Sequence, residues 1–463
     1  MQDGEAVLAL EAKPGRDEGL TLRAAAAAAQ AGLPLSPHTV ERLAVESVDP
    51  AVPWSREVRE SFVSLLGSGP SLVPVWEALD QAGLITRLVP DWAVVRSAPQ
   101  RNALHRFTVD RHLVETAVQA SAFSRNVDRP DLLLVGSLLH DIGKARGGDH
   151  SEVGARIAEE LAARMGFGPA DVATIVTLVR HHLLLPDTAT RRDIEDPQIV
   201  SEVAHVLGQV ATVDLLHELT IADALATGPT VSTEWRFGLI NDLVDRVRAT
   251  MDGRPLPEPP ELTEQQEVAL RQSGVWVLMD VRDATCLVTV AAPDRVGLLA
   301  LVAGVLSLNR LNVLAARVTT VDGRAVQEWT VRPSFGDPPS IEQLSDDVRR
   351  AIDGTYDVEA RLGKRDAEYQ RTPRMEHPEP LVTVATGGSR GTAVLEVRAH
   401  DAPGLLYRLA RSVAAADATI QGAKVSTLGS DAVDVFFVTD ASGGVLTVER
   451  MDALRVAVLS SLT

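Results

Sequence analysis

The sequence predicts a multidomain α and α+β protein: an all-α domain carrying a cluster of metal-ligand residues, followed by two βαββαβ ferredoxin-like domains. Three observations predict it. Apolar residues recur at helical spacing from about residue 95 to 250. β-branched runs replace them beyond a Gly/Pro-rich linker at 253–260. The tail repeats itself, with residues 287–320 aligning without gaps on 394–427.

Residues 1–95 read as a helical arm. An Ala-rich helix is expected over 21–33, and helical spacing continues through Val58, Phe62, Leu65 and Leu66, then Val75, Leu79 and Leu84, with a break at Gly69-Pro70. Residues 96–250 form the all-α domain, with helices expected over 109–121, 131–140, 151–165, 170–182 and 213–226. Pro130 suits the start of the second of these, Gly166 and Pro186 stop the next two, and Gly228-Pro229 stops the last. Residues 251–280 are a linker, 281–360 the first repeat, 361–392 a charged and Gly/Pro/Ser-rich linker, and 393–463 the second repeat. In the first copy, strands are expected over 286–291, 312–320 and 327–332, with helices over 298–308 and 345–352. Asp294-Arg295-Val296-Gly297 falls on Asp401-Ala402-Pro403-Gly404, and the last strand and helix recur at 434–439 and 448–459.

At 463 residues the chain has room for about three domains of roughly 100–200 residues. Its formal charge of −18 argues against general binding to nucleic acid or an anionic membrane. The single cysteine, Cys286, excludes an intrachain disulfide and fits a reducing cytoplasm. No window approaches the ~18 apolar residues of a transmembrane helix, and the acidic start is not a secretory signal. Lysine occurs only at 13, 144, 364 and 424, so the lysine close to the His-Asp pair described next stands out.

That pair is His140-Asp141, at the end of an apolar helix and just before Gly143. Mid-helix neighbours diverge by about 100°, but at a last turn both can reach one ion. His112 and Asp223 lie on an earlier and a later helix and complete a His₂Asp₂ set. Imidazole with carboxylate suits Mn²⁺, Mg²⁺, Fe²⁺ or Zn²⁺ without choosing among them. His150, with His182 or the adjacent His181, could hold a second metal, and Lys144 could contact phosphate. In each repeat, the Asp-x-x-Gly turn leads into a helix N-terminus, which favours a carboxylate. Gly297 and Gly404 would let it approach closely, and Asp294 and Asp401 could cap the helix or meet an ammonium group.

His112, His140-Asp141 and Asp223 match the H…HD…D pattern of the HD phosphohydrolase superfamily. The runs 107–112, 140–151, 179–184 and 219–224 more closely resemble the HD region of the bifunctional PII-protein uridylyltransferase/uridylyl-removing enzymes, and the repeats resemble that family's tandem ACT domains. The resemblance places His182, not His181, in the functional position. It implies hydrolysis of a nucleotidyl–tyrosine bond on the PII signal protein, releasing UMP or AMP, with Asp141 and Lys144 acting at the metal. It also implies glutamine as effector at the Asp294/Gly297 and Asp401/Gly404 turns and at Asn312, whose counterpart Thr419 departs from the ACT pattern.

The family's nucleotidyltransferase motif, Gly-Ser/Gly followed by Asp-x-Asp/Glu, does not occur. Transferase activity is therefore expected to be absent, through truncation, a missed start or a separated module. Asp193-Ile194-Glu195 has the acidic spacing but lacks the glycine lead. A guanosine tetraphosphate hydrolase fits less well, because Gly143-Lys144-Ala145-Arg146 stands where an acidic pair is expected. The rival from another class is a non-catalytic, amino-acid-sensing regulator with an idle HD core.

Overall fold

The computed structural model describes residues 4–100, 106–228, 234–256, 264–282, 285–369, 379–386, 392–402, 404–428 and 431–462. Parts of the two linkers expected from composition, including 257–260, and His105 lie outside the described residues. The chain divides into two compact units, Met1–Ala189 with Val200–Leu256, and Thr190–Ile199 with Pro257–Thr463.

In the first unit the N-terminal helices Leu20–Gln30, Pro37–Glu46, Arg56–Leu66 and Leu72–Gln81 pack as an arm. Ser36 and Ser55 cap the second and third, accepting hydrogen bonds from the backbone N–H of Thr39 and Val58. Trp54, Phe62, Trp76 and Trp92 form a chain of ring contacts at centroid distances of 5.4, 6.2 and 5.1 Å. The Trp54 N–H donates to the Arg164 carbonyl, and the Arg59 guanidinium lies over Phe167, so the arm is fastened to the helices that follow.

Those helices are α1 (Val109–Ala122), α2 (Pro130–Leu139), α3 (His150–Arg164), α4 (Pro169–Arg180) and α5 (Val210–Thr227). Every residue of α2 from Leu132 to Leu139 is buried. A helix apolar on all sides belongs at the centre of a bundle, and α2 packs against α1, α4 and α5. Its end therefore delivers His140 and Asp141 into the interior.

The second unit is built on one eight-stranded sheet in the order β1-β2-β4-β3-β7-β8-β6-β5. Along the chain it runs β1 (Trp276–Arg282), β2 (Thr285–Pro293), α6 (Leu298–Leu308), β3 (Leu311–Val321), β4 (Arg324–Pro333), α7 (Ile341–Ile352) and α8 (Val358–Tyr369). The second copy follows as β5 (Leu381–Thr386), β6 (Ala393–His400), α9 (Leu405–Ala415), β7 (Ala418–Leu428), β8 (Asp431–Asp440) and α10 (Val448–Ser460). The copies join through antiparallel pairing of β3 with β7, where Ala316 faces Ala423.

Each copy has the ferredoxin-like strand arrangement, but its connectivity corrects the βαββαβ reading. The fourth strand precedes the repeat as β1 or β5 and pairs back as a hairpin on β2 or β6. Both of these edge strands lie largely or wholly in segments that composition assigns to linkers. α8 is also outside the repeat pattern and packs on α6. Thr190–Ile199 groups with this sheet, with Lys424 Nζ donating to the Arg192 carbonyl at 2.6 Å. Among the described residues, no single helix is long and apolar enough to cross a membrane.

Candidate metal centre

Seven residues singled out in the helical region converge, six possible metal ligands and Lys144. His112 comes from α1, His140 and Asp141 follow α2, His150 opens α3, His182 follows α4, and Asp223 lies on α5. His112, His140, Asp141 and His182 are buried. Asp141 stands between two groups. Its Oδ2 lies 3.8 Å from His112 Nε2 and 3.4 Å from His140 Nε2, and its Oδ1 lies 3.6 Å from His150 Nε2 and 3.5 Å from His182 Nε2. Asp223 Oδ1 approaches His112 Nε2 at 3.0 Å and His140 Nε2 at 3.6 Å. Two donor clusters result, His112/His140/Asp141 and Asp141/His150/His182, with the Asp141 carboxylate in both. Of the adjacent histidines, His182 takes this place.

Backbone carbonyls set the imidazole orientation. Nδ1 of His140 lies 2.8 Å from the Ser137 carbonyl, and Nδ1 of His182 lies 2.8 Å from the Val179 carbonyl. A carbonyl only accepts, so each Nδ1 carries its proton and each Nε2 turns a lone pair, or a second proton, toward the carboxylates. His140 Nε2 and Asp141 Oδ1 are buried without a hydrogen-bond partner among the described residues. Buried polar atoms without partners are costly, and a divalent cation among these nitrogens and oxygens removes the cost. The donor set fits such an ion.

The electrostatics agree. Burial disfavours a charged His140, but the Asp141 and Asp223 carboxylates more than offset it and push its pKa up to about 10. Burial would raise both carboxyls, yet His140 holds Asp141 and Asp223 well below the usual carboxylate range, with Lys144 adding to the effect on Asp141. Burial carries His182 down to about 4, which keeps it neutral and able to ligate. With protein alone, a proton on His140 supplies the positive charge that this carboxylate pair calls for.

Lys144 Nζ pairs with Asp141 Oδ2 at 2.5 Å and donates to Gln100 Oε1 at 3.1 Å. Lys144, His150 and Asp223 are the partly exposed members, so they mark the open side of the cluster. Gly143 explains how His150 arrives. A Cβ there would stand 2.1 Å from the His150 carbonyl and 2.5 Å from the Gly154 nitrogen, so only glycine lets α3 start against the His-Asp turn. Asp149 caps α3 by accepting from the N–H groups of Ser151 and Glu152. Sequence reasoning missed Gln100 and the two carbonyls. Gln100 carries no pattern, and carbonyl contacts become visible only once the helix ends are built.

In the repeats, the Gly297 and Gly404 turns are left-handed, at φ 84° and 75°. Asp294 accepts from Thr320 Oγ1 at 3.2 Å, and Asn312 Oδ1 accepts from Ser334 Oγ at 2.9 Å. Asn312 of the first copy lines one cavity with Asp401 and Gly404 of the second, while Asp294 and Gly297 lie outside its lining.

Residues 109–228 match the HD domain family, which spans all of the donors just described. Over 96% of its length the chain is 48% identical to the bifunctional uridylyltransferase/uridylyl-removing enzyme of Streptomyces coelicolor. It is 42% identical over 94% to that of Mycobacterium tuberculosis, and 32% identical over 84% to that of Gluconobacter oxydans. The chain belongs to the bifunctional uridylyltransferase/uridylyl-removing enzyme family. It spans 59%, 56% and 49% of these three relatives, somewhat more than half of the first two.

Proposed function

We propose that this chain is a metal-dependent phosphodiester hydrolase that removes UMP, or AMP, from a nucleotidylated tyrosine of the PII signal protein, in the cytoplasm and under glutamine control. One observation carries the reading: a single buried carboxylate, Asp141, belongs to two histidine clusters, in a chain whose relatives are named for uridylyl removal. Nucleotide addition is assigned to none of these residues.

Mn²⁺ or Mg²⁺ bound there would lower the pKa of a bound water and neutralise charge on the phosphoryl oxygens. His112, His140, Asp141 and Asp223 would hold one ion. Asp141, His150 and His182 would hold a second, or the two histidines would face the phosphate directly. The Ser137 and Val179 carbonyls keep Nε2 of His140 and His182 aimed inward. Lys144, on the open side, would meet a non-bridging phosphoryl oxygen. Water supplies the oxygen that joins phosphorus, the bond from phosphorus to the tyrosine oxygen breaks, and the tyrosine oxygen takes up a proton.

Glutamine would bind in the ACT-like repeats at the Asp294/Gly297 and Asp401/Gly404 turns, with Asn312. The test is incubation of UMP-PII and AMP-PII with the chain and Mn²⁺, with and without glutamine, reading PII by mass. Loss of one nucleotide mass, faster with glutamine, is expected. An unchanged PII mass with metal bound would instead favour a regulator with an idle core.

A further inference from the structure

Thr190–Ile199 packs with the sheet, although the chain enters and leaves this segment through the helical domain. The short helix Leu184–Arg191 starts two residues after His182, with Leu185 and Ala189 buried. The helix Pro197–Leu207 carries the chain back. The link between them is shaped locally. The N–H groups of Glu195 and Gln198 donate to the Asp193 and Asp196 carboxylates at 3.0 and 2.9 Å. Ile194 is buried. Asp193-Ile194-Glu195 is therefore the centre of a docked segment, and its acidic spacing is turn chemistry.

The anchors follow the internal repeat. Ala316 and Ala423 pair where β3 meets β7 and belong to the core shared with α6 and α9. Side chains alternate along a strand, so the next residues, Arg317 and Lys424, occupy the opposite face. They are the same position of the two copies. Arg317 pairs with Glu195 at 3.4 Å, and Lys424 donates to the Arg192 carbonyl. Arg191 lies 3.9 Å from Glu396 of β6, and Val435 is the cross-strand partner of both Glu396 and Lys424. Both copies thus hold one segment at their seam.

β7 presents different residues to its two faces. Lys424 holds the segment on one, while its neighbour Val425 lines the cavity of Asn312, Asp401 and Gly404 on the other. A shift of β7 as that cavity fills would reach the segment, then the helix Leu184–Arg191 and His182, which stands 3.5 Å from Asp141. Coupling needs one element with two states that both sites bias. We propose that residues 190–199 are that element: docked on the sheet, they hold His182 in the metal centre, and ligand in the cavity favours the docked form. The link from cavity to segment rests on the amino-acid effector reading, whereas the link from segment to metal centre does not.

Hydrogen exchange of the full chain, read by mass on the amides of 190–199, tests both links. Saturating Mn²⁺ should slow exchange there about tenfold while leaving α10 unchanged, and glutamine without metal should do the same. Arg317→Glu, at a half-exposed side chain, should abolish both effects while glutamine still binds by calorimetry. Adding Glu195→Arg reverses the pair and should restore both effects, which would not follow if the first change had merely loosened the sheet. Mn²⁺ protection without any heat of glutamine binding would sink the effector reading and leave the link to the metal centre standing. Four results would each overturn the proposal: no protection in a native chain shown to hold Mn²⁺, glutamine binding with unchanged exchange, protection that Arg317→Glu leaves intact, or a loss that the charge swap does not restore.

Discussion

The metal centre draws its side chains from five helices or helix ends, whereas the repeats present their candidate ligands on two equivalent strand-to-helix turns. In the centre, burial and mutual charge define the site, and each member depends on the others. In the repeats, the turns are almost the same, φ 84° at Gly297 and 75° at Gly404, but their surroundings differ. A Cβ at Gly297 would meet nothing within 4 Å, while one at Gly404 would meet Leu362 of α8. A shared motif therefore fixes the backbone, and what packs over it fixes the site.

The largest expected effect comes from the residue common to both clusters. Asp141→Asn should take nucleotide release below detection, because it removes charge from both donor sets while keeping the shape. Metal linkage should also show as stability. Mn²⁺ at a hundred times its Kd should stabilise the native chain by about 2.7 kcal/mol, and the Asp141→Asn protein much less, as read by thermal unfolding. Equal Mn²⁺ stabilisation of both proteins would remove Asp141 from the metal site.

Gly143→Ala tests the positioning of His150. The added methyl would collide with the His150 carbonyl, so denaturant unfolding should show a loss of about 2 kcal/mol, with weaker Mn²⁺ binding. Unchanged stability would show that α3 does not rest on this turn. The smallest effects belong to the repeats. Gly297→Ala and Gly404→Ala should each cost about 1 kcal/mol from left-handed strain. Only Gly404→Ala should disturb ligand binding in the cavity, and equal effects on binding from the two would erase the comparison.

The metal centre was legible in the sequence because its chemistry is carried by residue types. His140-Asp141 before Gly143, with His112 and Asp223 on flanking helices, needed only helix assignment to converge. The choice between His181 and His182 came from resemblance, and the structure places His182 beside Asp141. Gln100 and the Ser137 and Val179 carbonyls were not legible, since they act through distances between helix ends. The edge strands were missed for a different reason. β1 is half-buried at best and exposed over its last three residues, and β5 sits in a Gly/Pro-rich stretch, so neither shows a run long enough to stand out from a linker. The cations of α8 read as a charged linker until the helix was seen packed beside Gly404.

The most direct test of the central claim is single-turnover release of UMP from UMP-PII in the presence of Mn²⁺, comparing the native chain with Asp141→Asn at matched folding. The account predicts release by the native chain and none by the variant. Equal release by both, or no release by a native chain shown to hold metal, would contradict it.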